Sequence, residues 1–339
     1  MDLIHYPKLK MSCKSLDPNL SVMLKDHGYK IGKYFGEGSY SKVYEAYKFY
    51  PNGRFGRVAC KVINCRKASK EYVEKFLPRE LDILKQLCHT NLVHVYDILE
   101  TSNQVLIFME MCSTGDLLDY ITNKGHLSEY RTRHLFHQIV TAVQYIHSND
   151  LSHRDLKCEN ILLKDELTVR ITDFGFARSC RDKYTNQRIL SDTFCGSAAY
   201  AAPEILQGLP YNPKMYDVWS LGCILYIMLT ARMPYDDSNI TKMLYVQLHA
   251  ILSFPTKSEF KISHDMKKFI MHLLEPDVTR RATINQVYTE LTQLPPITPQ
   301  NCVKPKNSVQ KLTGKKSIGQ AEMDYLRMKL KKCKIPHNF

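Results

Sequence analysis

The sequence predicts an α+β chain in which a small antiparallel β-sheet carrying one main helix precedes a larger, mainly α-helical part. Three observations carry this. Ile31 to Phe35, Val43 to Tyr50, Val58 to Asn64 and Val105 to Glu110 are short β-branched or aromatic runs set apart by Gly, Pro and Asn signals, with Pro51-Asn52-Gly53 as one turn. Glu71 to Cys88 carries Phe76, Leu77, Leu81, Leu84 and Leu87 near helical spacing, which predicts one helix on that sheet. After Glu110 the period turns helical: Leu135, Ile139, Val143 and Ile146 form one stripe in a segment that Ser128 would cap.

The remaining elements follow in order. Residues 1–28 mix Pro7, Pro18 and several lysines with no sustained period, which predicts a mobile N-terminal extension. The folded part runs over 29–294, strand-rich in 29–110 and helix-rich in 111–294. Val218 to Ala231, between Asp217 and Arg232, is the longest apolar stretch. It falls short of the roughly 20 residues of a membrane span and reads as a buried helix. Leu294-Pro295-Pro296 and Pro299 end the periodic pattern, and 295–339 is a lysine-rich, proline-interrupted tail.

Composition narrows the class. A chain of 339 residues, 44% hydrophobic and 24% charged, can bury a sizeable core. Met1 to Leu20 is broken by Asp2, His5, Lys8, Lys10 and Lys14, so it lacks the apolar centre of a signal peptide. Eleven cysteines without a C-x-x-C pair suit reduced thiols in a cytoplasmic or nuclear protein. Of the net charge of +13, the tail carries +8 from ten Lys or Arg against two Asp or Glu. The folded part therefore has no basic face, and nucleic acid is not an expected partner.

Two segments carry the chemistry: His153-Arg154-Asp155-Leu156-Lys157-Cys158-Glu159-Asn160 and Asp173-Phe174-Gly175. Phosphoryl transfer needs a carboxylate to receive a hydroxyl's proton, ligands for magnesium, and positive charge against the developing phosphate charge. These segments supply all three. They resemble the catalytic and magnesium-binding segments of eukaryotic protein kinases, which implies the bilobal kinase fold with ATP and Mg2+ as cofactors. On that resemblance Asp155 is the catalytic base, Lys157 stabilises the transferring group, and Asn160 and Asp173 hold the metal ions.

Further motifs extend the resemblance. Gly36-Glu37-Gly38-Ser39-Tyr40-Ser41-Lys42-Val43 resembles the glycine-rich loop over the ATP phosphates, with Ser41 where the third glycine usually stands. Val58-Ala59-Cys60-Lys61 matches the third-strand motif, so Lys61 would hold the α- and β-phosphates and pair with Glu80 nineteen residues on. Met109 would be the gatekeeper, and the backbone at Glu110 and Cys112 would bond adenine. Val43, Ala59 and Leu162 complete the nucleotide-binding set. Asp116 sits where kinases place an acidic ribose or substrate contact, and an N-cap for the following helix is an equal reading. Glu204 of Ala201-Ala202-Pro203-Glu204 would pair with Arg281; both, like Asp217, are structural.

Lys157 is typical of serine/threonine kinases. The string Cys195-Gly196-Ser197-Ala198-Ala199-Tyr200-Ala201-Ala202-Pro203-Glu204, with Lys157-Cys158-Glu159-Asn160 and Met233-Pro234-Tyr235-Asp236-Asp237-Ser238-Asn239-Ile240, closely resembles the testis-specific serine/threonine kinases. That family belongs to the calcium/calmodulin-dependent kinase group, and the resemblance covers about Tyr29 to Leu294. It implies male germ cells and a role in spermatogenesis or sperm function. Protein serines or threonines are the expected acceptors. Thr193, nine residues before Ala202, is the expected activating phosphosite, modified by the chain itself or an upstream kinase, with Arg154 and Arg178 as partners for its phosphate. Ser197 would touch the catalytic aspartate and lysine. Glu159 and Asp116 would receive an arginine three residues before the acceptor, which predicts a basophilic enzyme.

Two features stay open at this point. Cys60, Cys112, Cys158 and Cys195 fall near the site, as packing groups or as redox sensors. In Ala321 to Lys334, Met323, Leu326 and Leu330 recur among Arg327, Lys329, Lys331, Lys332 and Lys334, as a solvated tail or a basic helix for calmodulin or another acidic partner. A pseudokinase scaffold would lack a catalytic residue, yet Lys61, Glu80, Asp155, Asn160 and Asp173 are all present.

Overall fold

The computed structural model describes residues 18–38, 40–182, 184–193, 195–256 and 261–297. Ser39 and the basic segment Ala321 to Lys334 lie outside the described residues. Two compact units divide between Ser113 and Thr114.

The first unit begins earlier than the sequence predicts. Helix α1 (Pro18–Asp26) occupies part of the stretch expected to be a mobile extension. Leu20, Met23 and Leu24 recur at i, i+3 and i+4, and both leucines are buried against the sheet. Nine residues give too few repeats for this period to stand out.

The sheet contains β1 (Tyr29–Glu37), β2 (Ser41–Phe49), β3 (Phe55–Asn64), β4 (Val95–Glu100) and β5 (Gln104–Glu110), antiparallel throughout, in the order β1-β2-β3-β5-β4. Strand β4 was not expected, because Asp97 and Glu100 break its short apolar run. Alternation along β3 sorts the two faces. Val58, Cys60 and Val62 join Leu106 and Phe108 on the face that α1 covers. Ile63 joins Val105 and Ile107 on the face that Leu77 and Leu81 of α2 (Leu77–Gln86) cover. The helix expected over 71–88 is thus present, but its start, Tyr72–Phe76, is π-helical.

In the second unit α3 (Leu117–Lys124) and α4 (Glu129–Ser148) come first. Strand β6 (Leu151–Ser152) pairs with β9 (Arg178–Ser179), and β7 (Ile161–Asp165) forms a hairpin with β8 (Thr168–Ile171). Then follow α5 (Pro203–Leu206), α6 (Pro213–Thr230), α7 (Ile240–Leu248), α8 (His264–Leu273) and α9 (Ile284–Gln293). Ser128 caps α4 as its type and place predict, its Oγ accepting from Arg131 N at 3.3 Å. The apolar stretch at 218–231 lies in α6, which is buried on all sides, as a helix without a polar face must be. At Gly222 an added Cβ would stand 2.8 Å from Leu274, so a side chain there would push the two segments apart. Among the described residues no helix is long and apolar enough to cross a membrane.

Leu24→Ala removes a buried side chain that joins α1 to the sheet. It should lower the unfolding free energy by about 2–4 kcal/mol, read from urea denaturation; an unchanged midpoint would show that α1 adds nothing to the core.

Candidate active site

Each unit carries its own group of candidate residues. In the first, the antiparallel registers set Gly36 opposite Val43, and Val43 opposite Lys61. Three predicted nucleotide contacts thus lie in one row across β1, β2 and β3. Glu37 faces Lys42 in the same ladder, and Gly38 closes the loop by donating to Ser41 O at 2.8 Å. Ala59 stands opposite Met109, and Val58 opposite Glu110. The Glu110 N–H is donated to His94 O at 2.8 Å, so the carbonyl is the group it would offer an adenine. Cys112 is half-buried just beyond β5.

Lys61 and Glu80 meet at 2.9 Å, and the Glu80 carboxylate is only 2% exposed. A charge buried to that degree needs a partner, and Lys61 provides it. Tyr72, which sequence reasoning missed, donates its hydroxyl to the other Glu80 oxygen at 3.3 Å. It precedes Glu80 by eight residues and belongs to none of the motif strings.

In the second unit the loop that carries Asp155 hangs on Asp217 of α6. Its Oδ2 accepts from His147 Nε2 at 2.8 Å, Ser152 Oγ at 2.8 Å and His153 N at 2.9 Å. Its Oδ1 accepts from Arg154 N at 2.8 Å. Burial pushes this carboxyl up, but the hydrogen bond from His147 and the remaining donors outweigh it and hold Asp217 below the usual carboxylate range. Arg154, with φ of 62°, then turns the chain so that Asp155 follows.

Asp155 is buried and accepts from Lys157 Nζ at 2.7 Å and Asn160 Nδ2 at 3.0 Å. Burial raises its pKa against the pull of Lys157, which makes the carboxylate a better proton acceptor. Burial also pushes Lys157 down, yet Asp155 beside it leaves the ammonium pKa above its ordinary value. Asn160 donates a second bond to Asp155 O at 2.8 Å, so its amide oxygen is the atom left to face a cation. Its carbonyl accepts from Thr172 N at 3.0 Å, which ties the loop to the segment carrying Asp173, itself at φ of 67°. His153 donates to Thr172 O at 3.0 Å and lies 5.0 Å from the Phe174 ring. An amide oxygen and a carboxylate are hard donors of the kind Mg2+ takes, so the residues present fit that ion. Leu162, on β7, bridges to Asp116.

Asp116 proves to be the N-cap of α3, accepting from Asp119 N at 2.7 Å. Glu159 is half-buried beside Tyr200, whose hydroxyl donates to it at 3.4 Å, and burial pushes its carboxyl up to about 7. Glu204 and Arg281 form two parallel bonds at 2.7 and 2.9 Å, with the guanidinium 4.9 Å from the Trp219 ring.

The arginines expected to hold a phosphate on Thr193 do not hold the unmodified residue, and the contact expected of Ser197 is not formed among the described residues. No hydrogen bond joins Thr193 to Arg154 or Arg178. Thr193 is exposed and donates to Asp192 Oδ1 at 3.2 Å. Arg154 instead donates to Phe176 O at 2.8 Å and Ser191 Oγ at 2.9 Å, while Arg178 pairs with Ser152 in the β6–β9 ladder. Ser197 is buried at the start of a short 3-10 turn without a hydrogen bond to Asp155 or Lys157. Its neighbour Gly196, at φ of 89°, makes the close approach: an added Cβ would stand 2.9 Å from Arg154 O and 3.2 Å from Asp155 Oδ1. Burial raises the thiol pKa of Cys60, Cys158 and Cys195, which suits packing rather than reactive thiolates.

Residues 29–291 match the protein kinase domain family. The chain is 48% identical over 268 residues to the mouse protein called testis-specific serine/threonine-protein kinase 1, spanning 79% of this chain and 72% of that one. It is 45% identical over 265 residues to the human testis-specific serine/threonine-protein kinase 3, spanning 78% and 95%. A SNF1-related protein kinase catalytic subunit of Arabidopsis thaliana is 37% identical over 259 residues, spanning 76% and 50%.

Asp217→Ala should cost about 3–5 kcal/mol of stability, because it strands buried donors that had a charged acceptor. Asp217 has a depressed pKa, so its contribution is complete above about pH 4 and is lost as the pH falls toward the folded-state value. The stability gap between parent and variant in urea should therefore narrow below pH 4; a gap that widens there would contradict the assignment.

Proposed function

The chain belongs to the protein kinase family, with the testis-specific serine/threonine-protein kinases, and is a serine/threonine protein kinase; we propose that Asp155 is its catalytic base, that it prefers arginine-bearing acceptors and that phosphate on Thr193 activates it. The observation that carries the first point is the buried Asp155 carboxylate, pushed up in pKa and gripped by Lys157 and Asn160. Protein kinases use ATP, typically with Mg2+. The nucleotide supplies the phosphoryl group and the metal neutralises its charge.

In this reading Asp155 orients the acceptor hydroxyl and takes its proton, while Lys157 stands beside it to offset charge on the transferring group. Lys61 anchors the nucleotide's phosphates, and Glu80 keeps Lys61 in place. Asn160 and Asp173 offer oxygens to the metal. The relatives' names support a role in male germ cells, in spermatogenesis or sperm function. The test is phosphate transfer from magnesium-ATP to a basic serine peptide. Asp155→Asn should reduce turnover to background, and comparable activity in the variant would refute the role. A parent protein that is inert even with Thr193 phosphorylated would favour a scaffold.

The exposure of Thr193 supports it as a modification site. Thr193→Ala should lower turnover by about tenfold or more, the worth of one or two charge-assisted hydrogen bonds; unchanged turnover would dismiss the switch.

The Glu159 carboxyl, pushed up to about 7, gives recognition of basic peptides a pH dependence. Above that pH it is a carboxylate that attracts a guanidinium; below it the group is neutral. The ratio of kcat/KM for peptides with arginine against alanine at the −3 position should thus rise from pH 6 to pH 8, and Glu159→Gln should flatten it. A ratio independent of pH in the parent would remove Glu159 from substrate recognition.

A further inference from the structure

We propose that Tyr72 is a positioning residue for phosphoryl transfer, which holds Glu80 toward Lys61 through its hydroxyl and ties Glu80 to the glycine-rich loop through its ring. The two oxygens of one buried carboxylate are divided between two donors, Lys61 Nζ on Oε1 at 2.9 Å and Tyr72 Oη on Oε2 at 3.3 Å. The Tyr72 ring in turn packs on Tyr40, with centroids 5.5 Å apart and planes tilted by 38°. Tyr40 follows the loop's glycines, and its carbonyl accepts from Asn64 N at 2.9 Å, so it is fixed to the end of β3.

The local helix geometry makes this arrangement available. In an unbroken α-helix, eight residues rotate a side chain about 80° past two full turns. Tyr72 would then lie to one side of Glu80 rather than in line with it. The π-helical stretch Tyr72–Phe76 rotates less per residue and takes up that excess, bringing Tyr72 onto the face of Glu80. A π segment at the entry to a helix costs hydrogen-bond geometry, and such segments recur where function needs a side chain aimed.

The consequence is mechanical coupling. A Glu80 held at one oxygen by Lys61 alone can pivot about that bond; the second donor removes the pivot. Since Tyr40 leans on the same ring, displacement of the loop loosens Glu80, and a well-seated loop tightens it. Tyr72 acts through Glu80, the partner of Lys61, so its effect should appear in nucleotide handling alone. The inference rests on Lys61 being the phosphate-holding lysine.

Tyr72→Phe keeps the ring and removes the hydroxyl. With Thr193 phosphorylation matched by mass spectrometry, it should lower kcat/KM for ATP by about 3- to 10-fold, the worth of one longish hydrogen bond to a charge. KM for the peptide and the thermal midpoint should not change. Tyr72→Ala should lose more, because the contact with Tyr40 goes too. In a Glu80→Gln background, Tyr72→Phe should have no further effect on the affinity for a fluorescent ATP analogue, since the two residues act as one unit. Parental kinetics in Tyr72→Phe, an equal loss in the Glu80→Gln background, or a loss matched by a lowered midpoint would each overturn the proposal. Full turnover in Lys61→Met would overturn it at its root, by faulting the assignment of Lys61.

Discussion

The Asp217 carboxylate, closed off inside the second unit, is the constraint on which the catalytic loop depends. The loop has little secondary structure of its own: β6 is two residues long, and the 3-10 turn at Cys158–Asn160 is three. Its shape comes from α6, whose side chain at Asp217 takes the consecutive N–H groups of His153 and Arg154. Two successive amides aimed at one acceptor force a turn, and the turn puts Arg154 at φ of 62°. A non-glycine residue there costs on the order of 1 kcal/mol or more, so it persists only where its surroundings dictate it. An 18-residue helix buried everywhere but at Lys214 does so. Asp155 is the next residue along, which means its position is set by a carboxylate 62 residues downstream rather than by the loop itself.

In the first unit the equivalent constraint is the two-residue period of β3. Cys60 and Lys61 are neighbours in sequence with opposite surroundings. Cys60 is sealed into the core under α1, and Lys61 points with Ile63 toward α2. A one-residue slip of register would bury the ammonium among leucines and expose the thiol, so the core that fixes the register also fixes the lysine. The apolar stripe of α2 that packs on Ile63 presents Glu80 on the same side. Neither charge would be tolerable alone at this depth, and each makes the other's burial bearable.

This division explains what was legible in the sequence. Lys61 with Glu80, and Glu204 with Arg281, were readable because each motif keeps a recognisable string around the residue, and both pairs form. The buried α6 was readable because the apolar run from Val218 to Ala231 gives an unmistakable apolar surface. Helix α1 and strand β4 were not, since a few apolar residues among polar neighbours fit several periods. Tyr72, Ser191 and His147 carry contacts to Glu80, Arg154 and Asp217, yet no local string marks them. Their roles exist only once packing has brought distant segments together, and in the case of Tyr72 only because a π turn shifts the helical phase. The pairing expected of Arg154 is with a phosphate on Thr193, and a neutral threonine gives a guanidinium little reason to turn toward it.

The surroundings of Arg154 are consistent with the phosphate switch proposed at Thr193. Arg154 is 3% exposed, and the oxygens its guanidinium holds, Phe176 O and Ser191 Oγ, are both neutral. Neutral acceptors satisfy the N–H groups but leave the buried positive charge uncompensated, and a hydrogen bond between two charged groups is about twice as strong. Ser191 is itself fixed by two backbone bonds to Tyr211, and the Tyr211 hydroxyl also donates to Thr193 O. The segment is therefore already laced to the unit at Ser191 and at the Thr193 backbone, within reach of the loop that carries Asp155. Adding a dianion at Thr193 would have no new fold to build; it would need only to draw one guanidinium from a hydroxyl to itself, tightening a loop whose frame Asp217 has already set.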